Sequence, residues 1–385
     1  MAGPEVVALL REAGAALQRG DARAAVGLLD RAEALDGTVA EVGLNRALAC
    51  RMMGDLPGGI AALDGVLLRE PQHFVALLSK GSLVEAASGD AAAARVWRAA
   101  VRVAPAGALP AGLAAALDHA RAVVAADSAR MQGHLRAAVG AEWWPGEEAA
   151  RDRFEESLDV FAGAITAPVQ RPMLLHYSRM PAIPFYDRAL FPWLEELEAA
   201  TPMIVAELEG ALAAVAEDFA PYIQYPANVP VRQWGELNHS RKWSSYFLWR
   251  DGVRHDAACA RCPGTAALIE RLPLMRQPGF APTAVFSALE PHTHIPPHTG
   301  SANTRLLCHL PLILPGPARF RVGPQTRDWR MGEAWVFDDT IEHEAWNDAD
   351  AMRVILILDV WSPFLSEREK AMISKMMTAR SGYYA

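Results

Sequence analysis

His292, His294, His298, His309 and His343 crowd the C-terminal part of a chain that has 11 histidines, and their spacing is its strongest hint of chemistry. The run HTHIPPHTG, from His292 to Gly300, puts three imidazoles on a proline-stiffened approach to a strand. FDDTIEHEAW, from Phe337, puts His343 at the start of another strand, 45 residues after His298. In a jelly roll two such strands can face each other across the barrel mouth, where a non-haem Fe(II) site can be built. The usual ligand set is His-x-Asp/Glu with a distant His, since two neutral imidazoles and one carboxylate hold Fe(II) and leave three positions open. Here the position two after His298 is Gly300, which offers no ligand. The residues alone leave two readings: no iron site, or an iron site held by two histidines.

These side chains need a sheet to position them. After Val229 the segments WSSYFLW, TAVFSAL, RLLCHLPLIL, ARFRV, EAWVFD and MRVILILDVW are rich in aromatic and branched residues, with turn signals at Gly252, Pro315-Gly316, Gly323-Pro324 and Gly332. That pattern predicts an all-β sandwich or jelly roll. No G-x-G-x-x-G follows a strand, and no Walker loop, G-x-S-x-G elbow or H-E-x-x-H is present, which argues against a dinucleotide fold and the common hydrolase sites.

The first hundred residues are of another kind. Gly20-Asp21, Gly54-Asp55 and Gly89-Asp90 recur after 34 and 35 residues, and Gly37, Pro71 and Pro105 recur after 34 and 34. Two interleaved punctuation marks of one period mean a two-helix unit, similar to the tetratricopeptide repeat. ARAAVGLLDRAEALD, GGIAALDGVLLRE and AAARVWRAAVRVA are amphipathic at helical spacing, with alanine where neighbours touch. Such a stack offers a concave face suited to a peptide or protein partner. From Ala106 to about Arg179 the chain stays helical in pattern without the period. Pro181, Pro184 and Pro192 then precede a new helix from about Trp193, so a boundary is expected near 175 to 180.

Lys plus Arg total 37 against 45 Asp plus Glu, a net charge of -8, which argues against nucleic acid as main partner. The start lacks a basic leader and no uncharged apolar run of about 20 residues follows, so neither membrane insertion nor secretion is expected and the chain reads as cytoplasmic. Of Cys50, Cys259, Cys262 and Cys308, only Cys259 and Cys262 are close, and they read as reduced thiols of a surface loop.

The runs HTGSANTRLLCHLPL and GEAWVFDDTIEHEAWNDADAMRVILILDVW, with WSSYFLWRDG upstream, closely resemble the catalytic domain of the aspartyl/asparaginyl β-hydroxylases. The resemblance implies a 2-oxoglutarate-dependent oxygenase on a double-stranded β-helix over roughly residues 180 to 370, behind a tetratricopeptide region. The expected organisation is multidomain α and β: an α-solenoid over 1–105, a helical extension over 106–179, a jelly roll with flanking helices over 180–370, and a tail over 371–385.

By that resemblance His298 and His343 take the iron-ligand positions, and the family does without the carboxylate, so Gly300 is expected. Arg353 matches the arginine that pairs with the distal carboxylate of 2-oxoglutarate, a role suited to a guanidinium fork. Ser287 matches a hydroxyl donor to the same group, His309 a histidine near the other end of the co-substrate, and Asp339 a carboxylate that holds a metal-bound water. Leu307 stands where animal members have an arginine. Arg305 and His309 share its strand face by period-two alternation, so Arg305 could substitute. From the residues alone, Arg353 could instead pair with Asp359, Trp243 reads as wall packing, and His292 and His294 read as loop or substrate-side residues. The implied activity uses Fe(II), 2-oxoglutarate and dioxygen to hydroxylate the β-carbon of an aspartyl or asparaginyl residue in a polypeptide held by the repeats. The alternatives are a lipid acyl chain as target, and a repeat scaffold without turnover.

Overall fold

In the computed structural model, which describes residues 3–140 and 148–383, the Gly-Asp pairs mark helix boundaries. The helices run α1 Pro4–Gln18, α2 Ala22–Asp36, α3 Ala40–Met52, α4 Leu56–Arg69, α5 Phe74–Ser88, α6 Asp90–Arg102, α7 Ala111–Val139 and α8 Glu148–Phe161. Gly20, Gly54 and Gly89 have φ of 83°, 77° and 81°, a left-handed backbone that ends a helix and that a side chain would strain. Asp21 and Asp55 cap the following helices, accepting from the Ala24 and Gly58 amides at 3.0 and 2.9 Å. The third repeat differs, because Asp90 is already inside α6 and Gly89 is its N-cap. Gly81 shows why small residues recur here: a Cβ would lie 2.5 Å from the ring of Trp97, itself 1% exposed. This unit is a tetratricopeptide-like α-solenoid.

The chain divides into two compact units, Met1–Ile165 and Thr166–Ala385. The division falls before the expected 175 to 180, because the irregular segment after Thr166 pairs with the second unit, Gln170 with Ile341 and Leu175 with Ala302.

In the second unit the added helices are α9 Leu194–Ala199, α10 Thr201–Val215, α11 Asp256–Arg261, α12 Pro263–Arg271 and α13 Glu367–Tyr383. The strands are β1 Ala220–Pro221, β2 Trp243–Arg250, β3 Val253–Arg254, β4 Ala284–Leu289, β5 Thr293–His298, β6 Arg305–Ile313, β7 Ala318–Val322, β8 Gln325–Asp328, β9 Trp335–Phe337, β10 His343–Asn347 and β11 Arg353–Trp361. One sheet has the order β1-β2-β4-β11-β6-β9, with β3 on β2; the other has the order β5-β10-β7-β8, and the named pairings are antiparallel.

Alternation along the larger sheet separates two cores. Phe286, Ala288, Leu306, Cys308, Leu310, Val354, Leu356 and Leu358 face Leu194, Ile204, Leu208, Leu268 and Ile269 of the helices. Val285, Leu289, Leu307, Ile355 and Ile357 face Ile295, Phe320, Val322 and Ala345 of the smaller sheet. Each fully buried Val, Leu, Ile or Phe among them contributes about 1.5–3 kcal/mol, and the one-residue alternation locks the register. Ser287, Arg305, His309, Arg353 and Asp359 have the parity of the inner face, so the fold points its polar residues between the sheets. The architecture is the expected double-stranded β-helix with flanking helices.

Two expectations need correction. The 371–385 segment is not a tail, since α13 spans most of it and buries Ile373; the last two residues lie outside the described ones. Cys259 and Cys262 are not surface-loop thiols: one is on α11, the other is its C-cap, and they are 1% and 0% exposed against α10 and β2. Their Sγ atoms lie 3.4 and 3.9 Å from the Leu248 and Glu207 carbonyls, and burial raises both thiols, Cys262 to about 11. They are core residues.

Candidate active site

Strand register brings the two histidines together. β5 and β10 are neighbours in one sheet, with His298 and His343 as direct partners, so they meet side by side and not across the barrel mouth. Their ring centroids are 4.0 Å apart. The His298 Nδ1 lies 2.7 Å from the Pro296 carbonyl and the His343 Nδ1 3.0 Å from the Ile341 carbonyl. A carbonyl only accepts, so each Nδ1 carries the proton and each Nε2 keeps its lone pair for a metal. Burial, and for His298 also the neighbouring His343, holds both rings neutral, His343 down to about 4 and His298 well below its ordinary value.

The missing carboxylate of the His-x-Asp/Glu pattern has a structural counterpart. A Cβ built on Gly300 would lie 1.8 Å from Asp339 Oδ2, so Asp339 occupies the space a side chain at 300 would need. Asp339 is 2% exposed and ion-pairs through Oδ2 with Arg305, while its buried Oδ1 has no hydrogen-bond partner. Burial raises its pKa against the opposing pull of Arg305. Arg305 also lies 3.5 Å, Nη1 to Oδ1, from Asp359, whose Oδ2 accepts from the Thr283 amide at 2.6 Å. Arg305 is therefore committed to two carboxylates and is not free to stand in for an arginine at 307. Leu307 packs with the inner core.

The same pairing removes Asp359 as partner for Arg353. Arg353 is 1% exposed, and its Nε, Nη1 and Nη2 have no hydrogen-bond partner. Its guanidinium lies over the Trp329 ring at 4.3 Å, and burial pulls it down to about 9. Both His309 nitrogens are likewise buried without partners, and burial, then Arg353, keeps that ring neutral. The indole nitrogens of Trp329 and Trp335 join them. Trp329 lies 6.3 Å from His309 and 5.8 Å from Trp335, ring centroid to centroid. Unpartnered buried donors cost about 1–3 kcal/mol each, more when charged, so their clustering marks a place for an anionic ligand. Ser287 is 1% exposed and accepts from Trp243 Nε1 at 2.9 Å, which leaves its own proton to donate elsewhere. Trp243 is thus wall and orienting donor together, stacked on Tyr222 at 4.1 Å.

His292 and His294 are outside this cluster. His292 meets Asp350 at 2.9 Å, and His294 meets Glu344 at 2.8 Å while stacking on Trp346. Beside them an open groove of about 790 Å³ is lined by Arg232, Glu236, Lys242, Glu290, Thr293 and Pro296, and the Trp234 ring lies 5.0 Å from that of His298. No spacing in the sequence marks Trp234, Trp329 or Trp335; only Trp335 falls in a strand, β9, where the aromatic content is a signal.

The residues fit a metal held by His298 and His343, with the buried anion cradle beside it. Among the described residues no group of three or more His, Cys, Asp or Glu side chains is arranged around one point, so such a metal would have two protein ligands.

Known proteins place this unit. Residues 200–363 match the family described as Aspartyl/Asparaginyl beta-hydroxylase. The ornithine lipid ester-linked acyl 2-hydroxylase of Rhizobium tropici is 37% identical over 195 residues, 50% of this chain and 65% of that protein. The aspartyl/asparaginyl beta-hydroxylase of Homo sapiens is 32% identical over 181 residues, 46% of this chain and 24% of that protein. Aspartate beta-hydroxylase domain-containing protein 2 of Xenopus tropicalis is 28% identical over 207 residues, 52% of this chain and 53% of that protein. The chain thus spans less than two thirds of each of these relatives. With its inner-face polar residues and paired histidines, the C-terminal unit is similar over residues 200–363 to the aspartyl/asparaginyl β-hydroxylase family.

Proposed function

We propose that this protein is an Fe(II)- and 2-oxoglutarate-dependent hydroxylase acting on the β-carbon of aspartyl or asparaginyl residues in a polypeptide. The observation that carries the reading is Arg353, a guanidinium 1% exposed with all three nitrogens unpartnered, in the same inner core as two neutral histidines. A fixed cation in that state costs stability unless a carboxylate enters. His298 and His343 would hold the iron through Nε2. When bound, the iron would supply the activation of dioxygen that couples co-substrate decarboxylation to hydroxylation.

The chain's own residues do the rest. Arg353 binds the distal carboxylate in a bidentate fork, and the Ser287 hydroxyl, oriented by Trp243, adds a second donor to it. His309, neutral, donates from one nitrogen near the other end of the co-substrate. Asp339, held by Arg305, offers Oδ1 as acceptor for a water beside the histidines. Phe320, Phe337, Trp329 and Trp335 line the same core and exclude bulk water, which strengthens each polar contact.

The polypeptide reading draws on the repeat unit, where an open pocket of about 590 Å³ presents Arg51, Ser82, Glu85, Trp97 and His119. A second reading keeps the chemistry and takes a lipid acyl chain as target, favoured by the 37% identity to an acyl 2-hydroxylase. Succinate release from 2-oxoglutarate, measured with a library of Asp- and Asn-containing peptides and with an acylated amino-lipid in detergent, tests both. Peptide-stimulated succinate with a +16 Da peptide product supports the first reading. Stimulation by the lipid alone overturns it in favour of the second, and no stimulated or basal succinate with iron present overturns both.

A further inference from the structure

The first stretch of the second unit carries contacts that the family match, which begins at residue 200, does not cover. Residues 170–177 run as a strap along both histidine-bearing loops. The Arg171 amide donates to the Thr340 carbonyl at 2.7 Å, the Met173 amide to Gly300 at 3.0 Å, and the Leu174 and Leu175 amides to Ser301 at 2.8 and 3.0 Å. One side chain ties the two loops to each other. Gln170 Nε2 donates to Asp338 Oδ2 at 2.6 Å, and Gln170 Oε1 accepts from Asn303 Nδ2 at 2.9 Å. Asn303 is 1% exposed and follows His298 by five residues; Asp338 is 0% exposed and precedes His343 by five.

We propose that Gln170 is a positioning residue for the paired histidines, coupling the loop after His298 to the loop before His343 and so setting the spacing of the metal site. A carboxamide is suited to this because it donates to a buried carboxylate and accepts from a buried amide at once. Asp338 is otherwise held by the Thr340 amide and hydroxyl at 2.9 and 2.6 Å, and Asn303 by the Tyr177 amide and carbonyl at 2.7 and 3.0 Å. Asp338 is thus fixed within its own loop and Asn303 to the strap; the two loops also meet directly, the Gly300 amide donating to the Asp339 carbonyl at 2.6 Å, and Gln170 adds a side-chain link between Asn303 and Asp338. The inference rests on the oxygenase reading for its metal readout alone.

The test uses the full-length protein and Co(II) as the metal probe. Gln170→Leu removes both bonds, and a third from Nε2 to the Pro181 carbonyl at 3.1 Å, at similar volume, and Gln170→Glu sets two carboxylates face to face. Both should weaken Co(II) binding by about 10–100-fold, the usual effect of losing a group that orients metal ligands. Adding Asp338→Asn to Gln170→Glu reverses the donor and acceptor roles and should restore affinity to within about threefold of the parent, well inside that range. Tyr177→Phe cuts the same strap's bond to Glu369, at 3.1 Å, away from the loops, and should leave Co(II) affinity unchanged. Hydrogen exchange on metal-free protein should quicken over 298–303 and 338–343 in Gln170→Leu and not in Tyr177→Phe. Unchanged Co(II) affinity and loop protection in the Gln170 variants would overturn the proposal, as would an equal loss in Tyr177→Phe. If Gln170→Leu does not fold, Gln170→Glu with and without Asp338→Asn decides. A parent that binds no Co(II) would overturn the oxygenase reading instead, and hydrogen exchange would then decide the strap.

Discussion

Replacing Arg353 with methionine should stabilise the protein without co-substrate and make it indifferent to 2-oxoglutarate. The guanidinium is 1% exposed, has no hydrogen-bond partner at any nitrogen among the described residues, and meets the Trp329 face at 4.3 Å. Burial pulls it well below its ordinary value, to about 9. Arginine does not lose its proton at working pH, so the depression measures a cost of burial, at most ~5 kcal/mol at ~1.4 kcal/mol per unit. The sign follows: the unfolded chain holds this proton more readily than the folded one, so the cost is full below pH 9 and lifts only as pH rises from there. Methionine keeps most of the stem packing, forfeits a cation–π contact of about 1–2 kcal/mol, and should gain about 2–3 kcal/mol net. For a unit of this size that is roughly 4–12 °C in Tm. Melts with and without 2-oxoglutarate provide the assay. The parent should gain about 2.7 kcal/mol at a co-substrate concentration 100 times Kd, and the variant nothing. A variant less stable than the parent, or one that 2-oxoglutarate still stabilises, would refute the assignment of Arg353 as an anion receptor.

Three further outcomes are expected. Gly300→Ala would drive a methyl into Asp339 and part it from Arg305, costing about 3–5 kcal/mol by melting; Gly210→Ala in α10, where a Cβ meets nothing within 4 Å, should stabilise by about 0.5–1 kcal/mol, and equal behaviour of the two would contradict the packing described. Ser287→Ala should raise the KM for 2-oxoglutarate about tenfold or more, the worth of a hydrogen bond to a charged group, with kcat little changed; an unaltered KM would remove Ser287 from the site. Imidazolium cannot bind a metal, and burial holds His343 down to about 4 and His298 well below its ordinary value, so protonation competes only at low pH. Co(II) affinity should therefore stay level from pH 8 to about 5 and fall below that; a decline centred near 6.5 would mean that the histidines are solvated.

Ser287, His309 and Arg353 entered through the family resemblance, and period-two alternation accounts for their inner-face position, because a strand buried on both faces still assigns odd and even residues to different cores. The Gly-Asp repeats were legible, since each has a positive-φ glycine and two of the three, at Asp21 and Asp55, add a capping carboxylate. β5 was harder to read: Pro296 and Pro297 lower strand propensity, and the fold tolerates them because β5 is an edge strand. The pairing of Arg305 with Asp339 and Asp359 joins three strands or loops distant in sequence, so no local pattern distinguishes Arg305 from a free substitute for an arginine at 307. The strap at 170–177 has neither helical nor strand periodicity, and its value lies entirely in long-range bonds to 300–303 and 338–341. Cys259 and Cys262 misled because their spacing suits a loop thiol pair equally well as one helical turn.

The central claim is that His298 and His343 hold iron beside a 2-oxoglutarate site built on Arg353. The most direct measurement is anaerobic addition of Fe(II) and then 2-oxoglutarate to the full-length protein, recording the weak visible charge-transfer absorption of the chelate, with His343→Ala alongside. A band should appear only with both additions and be lost in the variant. No band at millimolar 2-oxoglutarate, or one that survives in His343→Ala, would contradict it.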